Sequence, residues 1–251
     1  MTERNIFINV DRAVAYGLDQ ATPYREHTGG VIRNNFVHLT PGLLSASRRA
    51  NSDGAIIVWN SPGTQVDHNT ILLNDNEYYA VQFRFATSSN GVARNNLTDA
   101  PIHLRDGASA VVSGNLSTAS PALFVNPAAG DLHLLASATN AIDRAAGLLT
   151  VTNDFDGERR PRGATPDLGA DEFNTNAPPV ISGFWRSGPN WTVSFTTLLG
   201  LSYDVQRAGE LVGAHWSLAI SNLAGNGGLL EATDSNVVDR PSQFYRVSLS
   251  P

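Results

Sequence analysis

The sequence contains no cysteine and no lysine among its 251 residues, so all seventeen basic residues are arginines. The absence of cysteine excludes disulfides, thiol nucleophiles and thiolate metal ligands within this chain. The absence of lysine excludes a lysine base or a Schiff base. Charged residues make up only 16% of the chain, and its formal net charge is −6. The sequence has no run of basic residues. This charge pattern argues against a nucleic-acid partner or an anionic membrane surface.

Long apolar runs are missing as well. No stretch approaches the roughly 18 apolar residues that a membrane-spanning helix needs, and the first residues lack the pattern of a signal peptide. Glycine and proline are frequent, with 22 and 13 residues, and 41% of the chain is hydrophobic. This composition is typical of a folded chain with many turns. Because the first residues already resemble part of a repeat, we interpret the chain as the C-terminal part of a longer protein.

A short pattern, V-x-x-N-x-Φ with Φ apolar, recurs along the first half of the chain. It fits at 31–36, 66–71 and 92–97, and also around Asn5 and Asn115. Alternating β-branched residues with frequent Gly, Asn and Ser indicate strands and turns rather than helices. Repeats about 20 to 35 residues apart then predict a right-handed parallel β-helix. In such a fold the repeated asparagines stack as hydrogen-bonded amides at equivalent turns.

A second strand-like pattern occurs at 56–60, 81–85 and 101–105. Because the three segments recur in the same order as the repeats, we expect them to stack in register as one parallel sheet. Alternation along each strand divides the side chains between two faces. We expect Ile57, Phe83, Ile102, Trp59, Phe85 and Leu104 to face the core, and Val58, Arg84 and His103 to face outward.

Two connecting segments, 17–30 and 39–54, are longer than a repeat needs, and ordered insertions of this kind often carry binding residues. His68, which precedes an asparagine of the repeat, is expected at the surface. The insertions bring polar side chains to one side of the predicted fold: Tyr24, Arg25, Glu26, His27, Arg48, Arg49 and Asp53.

The repeats fade after Asn115, and two motif groups follow. An N-P-x-x-G-D-x-H-L run at 126–134 leads to A-I-D at 141–143, and then D-x-D-G-x-x-R-P and D-L-G-A-x-E occur within 154–173. In order and spacing this region, about 115–173, resembles the closing segment of secreted bacterial parallel β-helix proteins of the pectate-lyase-like kind.

The closing segment is expected to be a structural cap over the end of the β-helix, because an open solenoid end leaves backbone groups unpaired. Its three arginines, at 159, 160 and 162, are expected to pair with Asp167, Asp171 or Glu172. The stretch lacks the ligand spacing of an EF-hand. We therefore predict no metal site and no cofactor, with calcium as the alternative.

Residues 174–179 form a polar, proline-containing linker between a first domain, 1–173, and a second, 180–251. The second domain contains short alternating strands separated by Gly- and Asn-rich turns. This pattern predicts a small antiparallel β-sandwich, so that the whole chain is expected to be all-β.

The resemblance implies a monomeric, secreted or cell-surface protein that acts on polysaccharides, with acidic glycans as the expected substrate. A lyase needs a base and cations beside a uronate, and we assign these roles to His27, Arg48 and Arg84. A hydrolase needs two carboxylates, for which Asp53, Glu26 and Asp67 are candidates. A non-catalytic glycan-binding or adhesive protein is the alternative. The expected substrate-binding residues are Tyr24, Arg25, Arg49, Asp53 and His103.

Overall fold

A computed structural model of the chain describes residues 1–17, 27–174, 178–198, 201–235 and 242–250. In these ranges the protein is nearly all β-structure, with one short helix, α1 (Ala46–Ala50), and 3₁₀ turns at Pro121–Leu123 and Pro127–Ala129. Among the helices described, none combines the length and apolar character required to cross a bilayer. Two compact units are present: Met1–Leu134 with Ala138–Asn174, and Leu135–Ser137 with Thr175–Pro251.

The first unit contains three stacked sheets, and the chain visits them in turn. Neighbouring strands are parallel in all three, an arrangement compatible with a parallel β-helix. Sheet 1 contains β1 (Thr2–Glu3), β4 (Val31–Arg33), β7 (Gln65–Asp67), β10 (Gly91–Arg94) and β13 (Ala110–Ser113). Sheet 2 contains β2 (Ile6–Ile8), β5 (Phe36–His38), β8 (Thr70–Leu72) and β11 (Leu97–Thr98). Sheet 3 contains β3 (Val14–Tyr16), β6 (Ile56–Trp59), β9 (Val81–Arg84) and β12 (Ile102–Arg105).

The core of this unit lies between the three sheets and is built from rows of residues that share a register position. One row crosses sheet 1, where Ile32 and Ala93 both align with Val66. In sheet 2, Val37 aligns with Ile71. Because strand side chains alternate between faces, only every second residue joins the cluster. The buried cluster includes Ile32, Val66, Ala93, Val37, Ile71, Ile56, Val58, Val81 and Phe83.

The prediction that 56–60, 81–85 and 101–105 stack as one parallel sheet is confirmed, but part of the facing was wrong. Val58 aligns with Phe83 and packs in the core. Trp59 aligns with Arg84 and faces outward, and Phe85 has left the strand at a turn with φ 69°. A one-residue error in register reverses the face of every side chain in a strand. Ile57 is buried, but on the outer face of sheet 3.

Asparagine side chains form a continuous ladder between sheets 1 and 2, as the repeat predicted. Each side-chain Nδ2 donates to the Oδ1 of the next asparagine, at 3.0, 2.9, 3.0 and 2.8 Å. The repeat pattern placed Asn34 and Asn95 in the ladder, and this was wrong. Each lies one position before it, and the second asparagine of the pair, Asn35 or Asn96, is the ladder member. The members of the ladder are Asn5, Asn35, Asn69, Asn96 and Asn115.

The position before the ladder has left-handed backbone geometry in every repeat. Its φ values lie between 50° and 65° at Arg4, Asn34, His68, Asn95 and Gly114. Asparagine and glycine tolerate this geometry best. The surface position predicted for His68 was wrong, because its side chain is 0% exposed beneath a later part of the chain.

That later part, residues 138–174, lies along the side of the three-sheet unit. The predicted cap over the end of the unit was therefore wrong for these residues. The Gly169 N–H donates to the Asn95 carbonyl, the Ala170 N–H to Thr70 Oγ1, and Asn34 Nδ2 to the Asn153 carbonyl. At the far end, Arg4 Nε donates to the Phe155 carbonyl. We call residues 138–174 the lateral segment. The last strand of sheet 1, β13, pairs only with β10 among the described strands, and Val111 there is 63% exposed.

Within the lateral segment the predicted ion pairing is found at one arginine. Arg160 NH1 lies 2.8 Å from Glu172 Oε2, and both side chains are fully buried. The same guanidinium donates to the carbonyls of Asp167 and Gly169. Arg162 pairs with Glu158 instead of a residue of 167–172. The other carboxylates of the segment mostly accept backbone N–H groups, as Asp154 does from Glu158 and Glu172. This pattern fixes the segment's turns without regular secondary structure.

The lateral segment follows a short antiparallel pair, β14 (Phe124–Asn126) with β15 (Asp131–Leu134). The second unit contains two antiparallel sheets. One sheet has β16 (Ile181–Ser187), β17 (Asn190–Thr196) and β20 (Leu229–Asp234), and the other has β18 (Ser202–Ala208), β19 (Ser217–Ala224) and β21 (Phe244–Leu249). They pack through a cluster that includes Phe195, Tyr203 and Val205.

Candidate functional site

The outer face of sheet 3 carries a dense group of charged and aromatic side chains. It comprises Trp59, Arg84 and Arg105 from the strands, Asp106 after β12, and two residues from the segments before β3 and β6. We call this group the outer-face cluster, and its members are Arg12, Asp53, Trp59, Arg84, Arg105 and Asp106.

Ion pairs connect the charged members into one chain. Asp53 lies between two arginines, 2.7 Å from Arg12 NH2 and 3.2 Å from Arg105 NH2. Arg105 Nε lies 3.8 Å from Asp106, which is also 2.6 Å from Arg84 Nε. Apart from Asp53, these side chains keep between a quarter and a half of their surface exposed, so they still offer hydrogen-bonding groups to a ligand.

Trp59 supplies the aromatic part of the cluster. The Arg84 guanidinium carbon lies 4.7 Å from the Trp59 ring centroid and the Arg12 carbon lies 6.0 Å from it, both within cation–π range. Phe85 packs edge-on against Trp59 at 5.8 Å, and the indole N–H donates to Gln82 Oε1 at 3.1 Å. These contacts hold the partly buried ring in a fixed orientation.

Register explains why these residues meet. Trp59, Arg84 and Arg105 share one register row, two residues beyond the row of Ile57, Gln82 and His103. Parallel strands place such a row along a line with a spacing of about 4.8 Å. The outer face of sheet 3 therefore presents long planar side chains at regular intervals.

Glu77 lies beside the cluster and is 2% exposed. Neither carboxylate oxygen accepts a hydrogen bond of normal geometry from a described residue. Burial raises the pKa of Glu77 to about 8; the nearby Ser52 hydroxyl and Arg12 lower it, whereas Asp11 and Asp53 raise it. The raised pKa keeps Glu77 mostly protonated at neutral pH, close to Asp53, which pairs with two arginines.

The three residues predicted for catalysis by a lyase have separate partners in the described part of the chain. His27 Nδ1 lies 2.6 Å from Ser61 Oγ, and its ring packs on Tyr16. Arg48 lies on α1 and pairs with Asp11. Arg84 belongs to the outer-face cluster. No described contact joins any two of the three, so the geometry supplies no lyase centre from them.

The other predicted residues are dispersed. Tyr24, Arg25 and Glu26 lie outside the described residues. Arg49 packs over the Tyr78 ring at 4.7 Å and lines a cavity of about 370 Å³ next to α1. His103 stacks on Tyr79 at 4.2 Å on the outer face of sheet 3. Asp67, a candidate for a hydrolase, is buried and pairs with Arg94 on sheet 1. Asp53 is the one predicted residue of this group, among those that the structure describes, that joins the outer-face cluster.

Arg12, Glu77, Arg105 and Asp106 were not predicted as site residues from the sequence. One signal was available for the first two, because a charged residue precedes each of three successive strands of sheet 3 at Arg12, Asp53 and Glu77. Parallel stacking brings such positions together. Arg105 could have been found from the correct register with Arg84.

No protein-family model, curated protein or solved structure matches this chain.

Proposed function

We propose that the first unit is a right-handed parallel β-helix that binds an extracellular polysaccharide along the outer face of sheet 3. The observation that carries this proposal is the outer-face cluster, in which arginine and aspartate side chains alternate and the Arg84 guanidinium packs on Trp59. The resemblance of 115–173 to the closing segment of secreted bacterial β-helix proteins supports the same function, and a location outside the cell or on its surface. In this proposal the second unit is a small β-sandwich.

The chemistry of the cluster suits a sugar chain. A sugar ring has an apolar C–H face, which packs on an aromatic ring, and a rim of hydroxyl groups. At Trp59 a sugar would share the ring surface with the Arg84 and Arg12 guanidinium groups. Guanidinium N–H groups donate to hydroxyls, and carboxylate oxygens accept from them. Arg12, Arg84 and Arg105 each pair with an aspartate already, so a uronate would compete with those aspartates. The cluster therefore favours neutral chains over the acidic glycans that the sequence suggested.

Replacing Trp59 with alanine tests this binding. The wild-type protein is expected to bind at least one polymer of a panel of soluble glucans, xylans, mannans, pectins, alginates and glucuronans, measured by affinity electrophoresis and calorimetry. Trp59→Ala is expected to weaken that binding at least about tenfold, which corresponds to about 1.4 kcal/mol. Loss of a stacking surface and of its hydrophobic contact is sufficient for this effect.

Trp185→Ala is the matched control, because Trp185 is an exposed tryptophan of the second unit. It should bind as the wild type does. Equal affinity of the wild type and Trp59→Ala, or no binding to any polymer of the panel, would contradict the proposal.

Glu77 and Asp53 favour hydrolysis as a second candidate function. A glycosidase uses one protonated carboxyl to protonate the departing oxygen and one carboxylate to act as base or nucleophile. Glu77 has the raised pKa that the acid needs, and Asp53 is held between two arginines. Because Glu77 is almost fully buried, a substrate would reach it only when the segment around Ser52 and Asp53 moves aside.

Hydrolysis is tested with Glu77→Gln, which keeps the shape of the side chain and removes its proton. If the site is a hydrolase, the wild type releases reducing ends from a bound polymer, and Glu77→Gln loses this activity while retaining binding. Asp75→Asn, at an exposed carboxylate on the same connecting segment, is the control and should remain active. An absorbing unsaturated product that disappears in His27→Ala would favour the lyase instead, and no turnover on the whole panel would leave binding alone.

A further inference from the structure

His133, Asp156 and Asp171 converge on one point of the first unit, away from the outer-face cluster. Each offers one ligand atom, and these atoms all lie within 4.8 Å of one another. His133 Nε2 is 2.9 Å from Asp156 Oδ2. Asp171 is 6% exposed and accepts the Leu134 N–H at Oδ2, which leaves its Oδ1 without a hydrogen bond to a described residue. One imidazole nitrogen and two carboxylates are a common donor set for a divalent transition metal.

The other side of the imidazole is also held. His133 Nδ1 lies 2.5 Å from Asp131 Oδ1, and Nε2 lies 2.9 Å from Asp156 Oδ2, so each ring nitrogen faces a carboxylate. A metal ion at Nε2 would take the place of the proton shared with Asp156, while Nδ1 keeps its proton toward Asp131. Carboxylate–histidine–metal arrangements of this kind fix the tautomer of a ligand histidine and raise its basicity. The rings of Phe36 and Phe155 pack edge-on against His133, at 5.1 and 5.8 Å, and restrict its rotation. Asp131 and the two phenylalanine rings therefore fix the orientation of the imidazole.

We propose that His133, Asp156 and Asp171 bind one divalent transition metal ion of the zinc type, with Asp131 orienting the histidine. A tetrahedral ion with bonds of about 2.0 to 2.2 Å needs ligand atoms roughly 3.4 Å apart, so the three side chains need to close only slightly. A small cavity of about 140 Å³, lined by Ile8, Gly130 and His133 among others, adjoins the histidine. Calcium is disfavoured, because it prefers six to eight oxygen ligands.

The ion would join three separate stretches of the chain. His133 belongs to β15, Asp156 lies near the start of the charged stretch 154–173, and Asp171 lies near its end. Metal that binds only the folded state stabilises it by an amount that grows with the logarithm of the metal concentration once this exceeds Kd. Binding is therefore measurable through stability, independently of any enzymatic activity and of the proposed polysaccharide site.

The experiment uses the whole chain after treatment with a chelator and its removal. Zinc chloride is titrated by calorimetry, and thermal unfolding is recorded with and without zinc. We expect one ion per chain and a melting temperature that rises with zinc concentration, whereas calcium and magnesium at the same concentrations give little change. Asp156→Asn should abolish the rise, and Asp131→Asn should weaken zinc binding roughly 10- to 100-fold.

His103→Ala is the control for binding at surface histidines, because His103 stacks on Tyr79 far along the chain from the cluster. It should bind zinc as the wild type does. Asp156 is about half exposed, so Asp156→Asn should remain folded and give an interpretable result. The proposal is overturned if the wild type takes up no zinc, or if Asp156→Asn and His133→Ala bind it as tightly as the wild type.

Discussion

His68 connects a repeat of the first unit to the lateral segment through hydrogen bonds of its buried ring. Its Nε2 lies 2.9 Å from Asn95 Nδ2, which can only donate, and its Nδ1 lies 3.3 Å from the Gly169 carbonyl, which can only accept. Both contacts are satisfied by one neutral tautomer, with the proton on Nδ1. Burial is the main cause that lowers the pKa of His68 to about 3, and the Arg160 guanidinium lowers it further, whereas the carbonyls of Gly169 and Asp167 raise it.

This shift predicts a loss of stability in acid. The folded-state pKa lies below the unfolded value of 6.5, so the stability contributed by neutral His68 is complete above pH 6.5 and is lost as the pH falls toward 3. His68→Asn places at this position the residue that Asn34 and Asn95 provide in neighbouring repeats, with the same left-handed φ. Relative to that variant, the wild type should lose about 1.4 kcal/mol of unfolding free energy per pH unit below 6.5.

The measurement is urea denaturation of both proteins between pH 7 and 4.5. The raised pKa values of Glu77, Asp167 and Asp171, each due chiefly to burial, act in the opposite direction, since their stabilising effect is lost as the pH rises. Both proteins contain these groups, so the difference between the two curves isolates His68. Parallel curves would show that the histidine does not titrate differently in the folded state.

At the scale of an element, the asparagine ladder holds the corner between sheets 1 and 2. Asn69 is at its centre and is fully buried. Its Oδ1 accepts from both the backbone N–H and the side chain of Asn35, and its Nδ2 donates to the Ile32 carbonyl and to Asn96 Oδ1. A central member thus satisfies polar groups in both neighbouring repeats.

Asn69→Ala should lower the free energy of unfolding by about 2 to 4 kcal/mol, because several buried donors and acceptors lose their partner at once. Asn115→Ala is the matched variant at the open end of the ladder. Asn115 is partly exposed and has a ladder partner on one side only, Asn96. Water can replace part of what it loses, so its effect should be clearly smaller. Chemical denaturation compares the two, and equal losses would contradict a cooperative ladder.

Periodicity in the sequence was sufficient to predict the strands, the parallel stacking and the asparagine ladder, because one-in-two alternation and repeat spacing are local properties. It did not determine which asparagine of an Asn-Asn pair joins the ladder, because both residues suit a tight turn. The register of β6 was equally ambiguous, since Ile57 and Val58 are both apolar and both buried. The outer-face cluster depends on that register. Contacts such as Arg105 with Asp53 therefore could not be derived from spacing alone.

At the scale of the whole molecule, the lateral segment connects repeats that would otherwise contact only their neighbours. In a simple repeat protein, stability is the sum of terms within and between adjacent repeats. Here one segment contacts Arg4, Asn34, Thr70 and Asn95, which belong to four successive repeats. Partial loss of one repeat therefore disturbs contacts made by the others through the shared segment. The first unit is expected to unfold as one cooperative body for this reason.

The same arrangement has a consequence for the order of events during synthesis. Arg4 is synthesised before its partner Phe155, which follows 151 residues later in the chain. Phe36 likewise waits for Phe155, on which its ring stacks at 4.2 Å. Until then the Phe36 ring, which is buried in the folded unit, faces water on the outer side of sheet 2. The nascent repeats are therefore prone to aggregate until the lateral segment has been synthesised. We expect a chaperone, or slow release from the ribosome, to influence the yield most during this interval.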